Sequence, residues 1–444
     1  MEHLREVLER SARSNDVPGA QLVVLKNGKT WEFACGEERY GTGRPMTRDS
    51  KVPIGSITKT FTATVLMVLV SDGDIALDEP LARSLPEMRQ APDEVAHLLT
   101  VRQLLSHTGG LRAEPITSST RGRSPLVSSL LDAPQEPGAG FSYSNTGYAL
   151  LGRLIEVTTG MTWAEAVETI LLRPLELTLP FVVDPASGLT VPSMASGHTV
   201  NRASRRIRPV DQELDLVEAP AGGLAASASD LLELARMHLR PEHGGADHGL
   251  VTSDDLAEMR LPVPGAEPFG LADGWGLGLA VFRGADHDWL GHDGTADGTS
   301  CHLRLNPESG TVIALTTNSS TGIALWHDLL TELRSTGTDI DTSAASVDIG
   351  SRTSIPPDCV GTYFNGDTSY EVVIRGDDLQ LVVDDEPLAR LTVRDRLVFS
   401  VTGLAGGEAG RPGRFLRDPR SGRIDRIQIG GRIAGRRRHA RKVA

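Results

Sequence analysis

The chain has 444 residues, 39% of them apolar and 23% charged, with a formal net charge of -13. Those fractions are those of a globular protein, and the length calls for two or three domains rather than one small core. The acidic balance argues against a general nucleic-acid binder, no stretch is long enough to cross a bilayer, and Cys35, Cys301 and Cys359 are too widely separated for a disulfide framework or a zinc site.

The first residues, Met1-Glu2-His3-Leu4-Arg5-Glu6, are charged and amphipathic and lack the apolar run of a secretory signal, so a soluble cytoplasmic protein is expected. Residues 2–13 predict a helix. The runs 20–26 and 29–34, joined by Asn27-Gly28, predict a β-hairpin. Next comes Pro53-Ile54-Gly55-Ser56-Ile57-Thr58-Lys59, opening a helix that continues through Val65, Leu66, Met67, Val68, Leu69 and Val70. A helix apolar on every side belongs in the middle of a domain. From Ser56 to about Thr178 the pattern is helical or looped, punctuated by prolines.

Strands are expected again only between Trp275 and Thr317, in runs such as 278–283, 301–306 and 311–317, with a tight turn at Pro307-Glu308-Ser309-Gly310. A helix follows over 325–333. A chain that begins with a hairpin, inserts a large helical block and returns to strands can form one antiparallel sheet from its two ends. The expected fold class is therefore α+β, a domain over 1–336 whose sheet is flanked by helices. Residues 337–356, rich in Thr, Ser, Asp and Pro, read as a linker. Residues 357–444 alternate short strands with Gly- and Asp-rich turns and predict a small all-β barrel. Its end is locally basic, with Arg432, Arg436, Arg437, Arg438, Arg441 and Lys442. That is a solvated tail or, alternatively, a contact for an acidic partner such as a carrier protein.

Three stretches carry chemistry. Ser56 and Lys59 lie three residues apart, so their side chains can meet on one helix face. A hydroxyl is a poor nucleophile until its proton is taken, and a desolvated lysine has its pKa lowered far enough to help. Taken alone, the pair is matched by an N-cap serine and a surface lysine. Tyr143 and Asn145 begin a second helix. A phenol beside a cationic lysine can take the serine proton and return it to a leaving group, while the amide can fix Lys59 and bond to a substrate carbonyl. Their plain alternative is a buried tyrosine and an N-cap asparagine. Late in the chain, Gly291-His292-Asp293-Gly294-Thr295 brings glycines that allow close backbone approach. The backbone N–H of Thr295 can pair with that of Ser56 as an oxyanion hole, with Gly294 against the substrate and His292 in the cleft, or His292 is an ordinary loop histidine. There is no Gly-x-Ser-x-Gly elbow, and Asn27-Gly28-Lys29-Thr30 is a hairpin turn rather than a phosphate loop.

Taken together, Ser56-Ile57-Thr58-Lys59, Tyr143-Ser144-Asn145 and His292-Asp293-Gly294 resemble the serine hydrolases built like class C β-lactamases and penicillin-binding proteins, which include carboxypeptidases, D-aminopeptidases, esterases and acyltransferases. Leu104–Leu111, Pro220-Ala221-Gly222-Gly223-Leu224 and Gly274-Trp275-Gly276-Leu277-Gly278 also look familial, and the likeness covers 5–335. The resemblance implies a β-lactamase-like fold and an acyl-enzyme on Ser56, with Lys59 and Tyr143 managing protons and no metal or other cofactor. True β-lactamases carry a lysine where this chain has His292, which puts antibiotic hydrolysis in doubt. The lack of an export signal favours penicillin-binding-protein-type thioesterases, which take a nonribosomal peptide, often with a D-residue at the acyl end, from a carrier protein and cyclise it. Their lipocalin-like β-domain resembles residues 357–444, but D-aminopeptidases and several esterases also append β-domains, so the barrel alone does not discriminate. A cytoplasmic esterase, D-aminopeptidase or β-lactamase-related hydrolase is the alternative, and a non-turnover acyl-binding or sensor module is a further one. No nucleic-acid or membrane partner is expected.

Overall fold

A computed structural model describes residues 3–436, apart from 92, 118–124, 131–133, 183–193, 203, 205, 247, 285, 341–349, 377 and 405–408. The basic residues Arg437, Arg438, Arg441 and Lys442, and 341–349 of the expected linker, lie outside the described residues. The chain divides into two compact units, one of Met1–Asp78, Tyr148–Pro262 and Gly276–Thr342, the other of Glu79–Gly147, Val263–Trp275 and Ser343–Ala444. No described helix is long and apolar enough to cross a membrane.

The first unit is built on an antiparallel sheet whose strands run, in spatial order, Lys29–Gly36, Gly19–Lys26, Thr311–Thr317, Ser300–Asn306, Trp289–Gly294 and Ala280–Phe282. The two ends of the chain thus supply one sheet, as the order of runs implies. Asn27 and Gly28 both have positive φ (53° and 70°), the conformation a two-residue hairpin turn demands. Ser300–Asn306 and Thr311–Thr317 are buried along their whole length, so both faces of the sheet are covered. Helices His3–Ser14 and Gly322–Ser335 pack on each other and on the sheet, while Ala228–Arg236 lies against Thr311–Thr317 and Gly19–Lys26.

Helix Thr58–Ser71 is buried at every residue from Thr58 to Leu69. Its hydroxyls are matched internally: Thr60 Oγ1 donates to the Gly278 carbonyl (3.1 Å), Thr62 Oγ1 to that of Pro220 (2.8 Å), and Trp163 Nε1 donates to Thr62 Oγ1 (3.1 Å). Strands also occur where none is expected from sequence. Gly197–Asn201 pairs with Arg206–Val210 in a partly exposed hairpin.

A charge pair is set into the sheet of this unit. Asp293 accepts from Arg304 Nη1 (2.8 Å) and Nη2 (3.1 Å) and meets His302 Nδ1 at 2.8 Å. His302 stacks on Trp326 at 4.8 Å, and the Arg304 guanidinium covers the Phe282 ring at 3.7 Å. Burial alone would raise the Asp293 pKa, but Arg304 and His302 hold its carboxyl well below the ordinary range.

The second unit contains a closed eight-stranded antiparallel barrel, from Gly361–Asn365 to Arg432–Gly435, with Phe364 opposite Gly435 at the closure. Its centre is filled by side chains including Tyr363, Leu381, Leu391, Phe399, Phe415 and Ile427. The Tyr363 hydroxyl donates to the Cys359 carbonyl (2.7 Å) and accepts from Arg436 Nη2 (3.1 Å). The helical block expected between the two sets of strands contributes Glu79–Gly147 to this unit.

Arg304→Met would leave the partly exposed Asp293 carboxylate with His302 as its remaining partner. The substitution is expected to lower unfolding free energy by about 2 kcal/mol in urea denaturation, and Arg304→Met with Asp293→Asn to recover part of the loss.

Candidate active site

The turn that presents Ser56 is held by backbone. Ile54 N–H donates to the Leu224 carbonyl (3.0 Å), and Leu224 N–H donates to Thr58 Oγ1 (3.1 Å), so one residue pins both ends of the turn. Between them Gly55 has φ of 50° and starts a 3₁₀ turn, Gly55–Ile57, that runs into helix Thr58–Ser71. Ser56 is half-buried at this helix entrance, where the backbone favours negative charge.

One turn on, Lys59 is fully buried. Its Nζ donates to Ser56 Oγ (3.1 Å) and to the Ala221 carbonyl (2.8 Å), and it stands 5.4 Å from the centre of the buried Tyr148 ring. An amine without solvent needs such acceptors, and one of them is the candidate nucleophile.

The end of strand Trp289–Gly294 comes against the same turn. A Cβ at Gly55 would overlap the Thr295 backbone, and a Cβ at Gly294 would overlap the Ile54 carbonyl. Thr299 Oγ1 donates to the Pro53 carbonyl (2.8 Å) and holds the loop in place. Thr295 itself is exposed just beyond the strand. His292 is buried, and its Nδ1 lies 2.6 Å from the Asp293 carbonyl. A carbonyl only accepts, so Nδ1 carries the proton and Nε2 the lone pair. Burial first and the Lys59 charge second push the His292 pKa down to about 3, which leaves the imidazole neutral at physiological pH.

Ser56, Lys59, His292, Gly294 and Thr295 therefore belong to the first unit and are packed together around one turn. Tyr143 and Asn145 belong to the second. There Tyr143 N–H donates to the Gly431 carbonyl (2.9 Å), and its ring lies 4.2 Å from His107 and 5.7 Å from Trp275. His107 Nδ1 accepts from Ser144 N–H (3.1 Å), which fixes the backbone between the two residues. Asn145 begins helix Asn145–Thr159, with Nδ2 donating to Glu114 Oε2 (2.6 Å). Among the described residues no group of three His, Cys, Asp or Glu is placed to hold a metal ion.

A profile of the family described as Beta-lactamase matches residues 4–337. The chain belongs to the beta-lactamase family. Family relatives include Penicillin-binding protein 4 of Amycolatopsis lactamdurans, 35% identical over 74% of this chain and 88% of that protein. Among solved structures, SurE with D-Leu aligns over 98% of this chain and 99% of its own, at 38% identity and a TM-score of 0.84. A class C beta-lactamase from Rhodobacter sphaeroides, 20% identical over 75% of this chain and all of its own, shares the fold at a TM-score of 0.60. As a member of the β-lactamase and penicillin-binding-protein family, the chain is a serine hydrolase.

Several contributors carry no assigned role in the sequence reading. The Ala221 carbonyl and the His107 ring fall inside the stretches 220–224 and 104–111 that look familial, which was the available signal. Glu114 and Tyr148 gave none.

Two tests follow from this packing. Gly55→Ala, strained by its positive φ and by the Thr295 backbone, is expected to cut kcat by about a hundredfold while Ser56→Ala abolishes it, checked by steady-state kinetics. His238, also buried, has its pKa pushed down to about 3. His292 and His238 are neutral when folded but protonate near 6.5 when unfolded, so the stability from each is complete above that pH and is lost as pH falls towards about 3. The loss approaches about 1.4 kcal/mol per pH unit for each histidine. His238→Gln is expected to flatten the fall of Tm below pH 6.5, and the His292 ring resonances to show no titration step in NMR between roughly pH 8 and pH 5.

Proposed function

We propose that the protein is a peptidyl thioesterase that carries its acyl group on Ser56 and releases it as a macrocycle, acting on a nonribosomal peptide with a D-residue at the acyl end. The observation that carries this reading is the likeness to SurE with D-Leu, which runs through the barrel as well as the hydrolase portion. The buried, neutral His292 supports it, because it offers no cation to a substrate carboxylate of the β-lactam kind. On the same reading the substrate arrives in the cytoplasm on an acidic carrier protein.

In the proposed reaction Ser56 Oγ attacks the thioester carbon while its proton passes to the base formed by Lys59 and Tyr143. The backbone N–H groups of Ser56 and Thr295 hold the oxyanion. The carbon–sulfur bond breaks and the thiolate leaves with that proton. The amine at the far end of the peptide then attacks the Ser56 ester, giving its surplus proton to the same base. That proton returns to Ser56 Oγ as the ester opens, and Asn145 holds the peptide's amide through both steps.

Intact-mass measurement after fluorophosphonate treatment is expected to show one adduct on wild type and none on Ser56→Ala. Offered peptidyl thioesters that end in a D- or an L-residue, the enzyme is expected to prefer the D-form and to yield a product one water lighter than the free acid. Hydrolysis alone, or indifference to stereochemistry, favours a cytoplasmic esterase or D-aminopeptidase instead.

A further inference from the structure

Asn145 is held twice by the segment before it. Its backbone N–H donates to the Ala113 carbonyl (2.6 Å) and its Nδ2 to Glu114 Oε2 (2.6 Å). The other oxygen of that carboxylate, Oε1, accepts from Arg432 Nη2 at 2.6 Å, on the last strand of the barrel. Ala113 is tied to the barrel too, its N–H donating to Asn365 Oδ1 (2.6 Å). An amide side chain has two orientations of nearly equal shape, and a carboxylate discriminates between them because it only accepts. Turned over, Asn145 would place Oδ1 against the Glu114 carboxylate, two acceptors facing each other.

We propose that Arg432, acting through Glu114, is a positioning residue that locks the orientation of the Asn145 amide. With one hydrogen of Nδ2 taken by Glu114, the second remains for a substrate carbonyl. Oδ1 is buried and has no hydrogen bond among the described residues. Glu114 and Arg432 are each more than a third exposed, so their contribution lies in direction rather than in stability. The barrel thereby sets that Asn145 meets a substrate amide as a donor. The inference rests on Asn145 holding the substrate amide, as proposed above.

The test compares two substrates in wild type, Arg432→Met, Glu114→Gln and the double variant. An N-acyl-D-aminoacyl thioester presents an amide to Asn145, whereas p-nitrophenyl acetate has none. Loss of a charge-assisted bond is expected to lower kcat/KM on the thioester by about thirtyfold and on the acetate by less than about threefold. The double variant is expected to lose no more than Glu114→Gln alone, and Arg432→Lys to restore most of the activity. Selectively labelled Asn145 supplies a readout that needs no turnover. Its two Nδ2 protons are expected to give separate, exchange-protected signals in wild type and averaged ones in Arg432→Met. Equal losses on both substrates, additive losses, or unchanged Nδ2 signals overturn the proposal. Absence of a fluorophosphonate adduct on wild type with the Nδ2 signals responding as described would overturn the function proposed above and leave the lock standing.

Discussion

The structure of the first unit depends on keeping the Lys59 amine out of water. Burying an amine costs several kcal/mol unless its N–H groups find acceptors. Here Ala221 supplies a carbonyl, Tyr148 a ring face, and Ser56 a hydroxyl. Each of those partners is fixed in turn: Pro220, beside Ala221, by Thr62, and Ser56 by the Gly55 turn between Ile54 and Thr58. Because the hydroxyl is one of the groups that offset the burial of Lys59, moving Ser56 out of place would also take one hydrogen-bond acceptor from a buried amine. Position and stability are therefore coupled at this turn.

Strand Trp289–Gly294 carries the electrostatics to match. Successive side chains on a strand point to opposite faces. His292 feels the Lys59 charge, while Asp293 pairs with Arg304 and His302. A slip of one residue would turn Asp293 towards the lysine and leave Arg304 without its carboxylate. The ion pair thus settles the register of the strand whose end, at Gly294 and Thr295, meets the Ser56 turn.

Sequence made legible what depends on short spacing. The three-residue step from Ser56 to Lys59 is a helix geometry, and Asn27-Gly28 is a turn chemistry; the structure contains both. Most barrel strands were legible from alternation. Arg432–Gly435 was not, because it is only four residues long and follows Gly430-Gly431 into a basic tail. The hairpin of Gly197–Asn201 and Arg206–Val210 was missed because polar, half-exposed strands leave little alternation. Glu114 was beyond reach for another reason. Its partners, Asn145 and Arg432, stand 31 and 318 residues away, and no local pattern announces such a pair.

Asn365 shows why the barrel and the Tyr143-Ser144-Asn145 segment form one body. Its Oδ1 accepts from Ala113 N–H, and its Nδ2 donates to the Ile433 carbonyl at 2.7 Å. Ile433 N–H donates to Ser142 Oγ (3.2 Å), and Gln428 Nε2 donates to the Phe141 carbonyl (3.1 Å). One amide thus joins the first and last strands of the barrel to Ala113, whose carbonyl accepts from Asn145 N–H. Buried amides of this kind are costly when half-satisfied, so the closure of the barrel and the placement of Ala113, Phe141 and Ser142 stand or fall together. On that argument the barrel is not a detachable appendage, because without its closing strand the backbone on both sides of Tyr143 loses the groups that hold it.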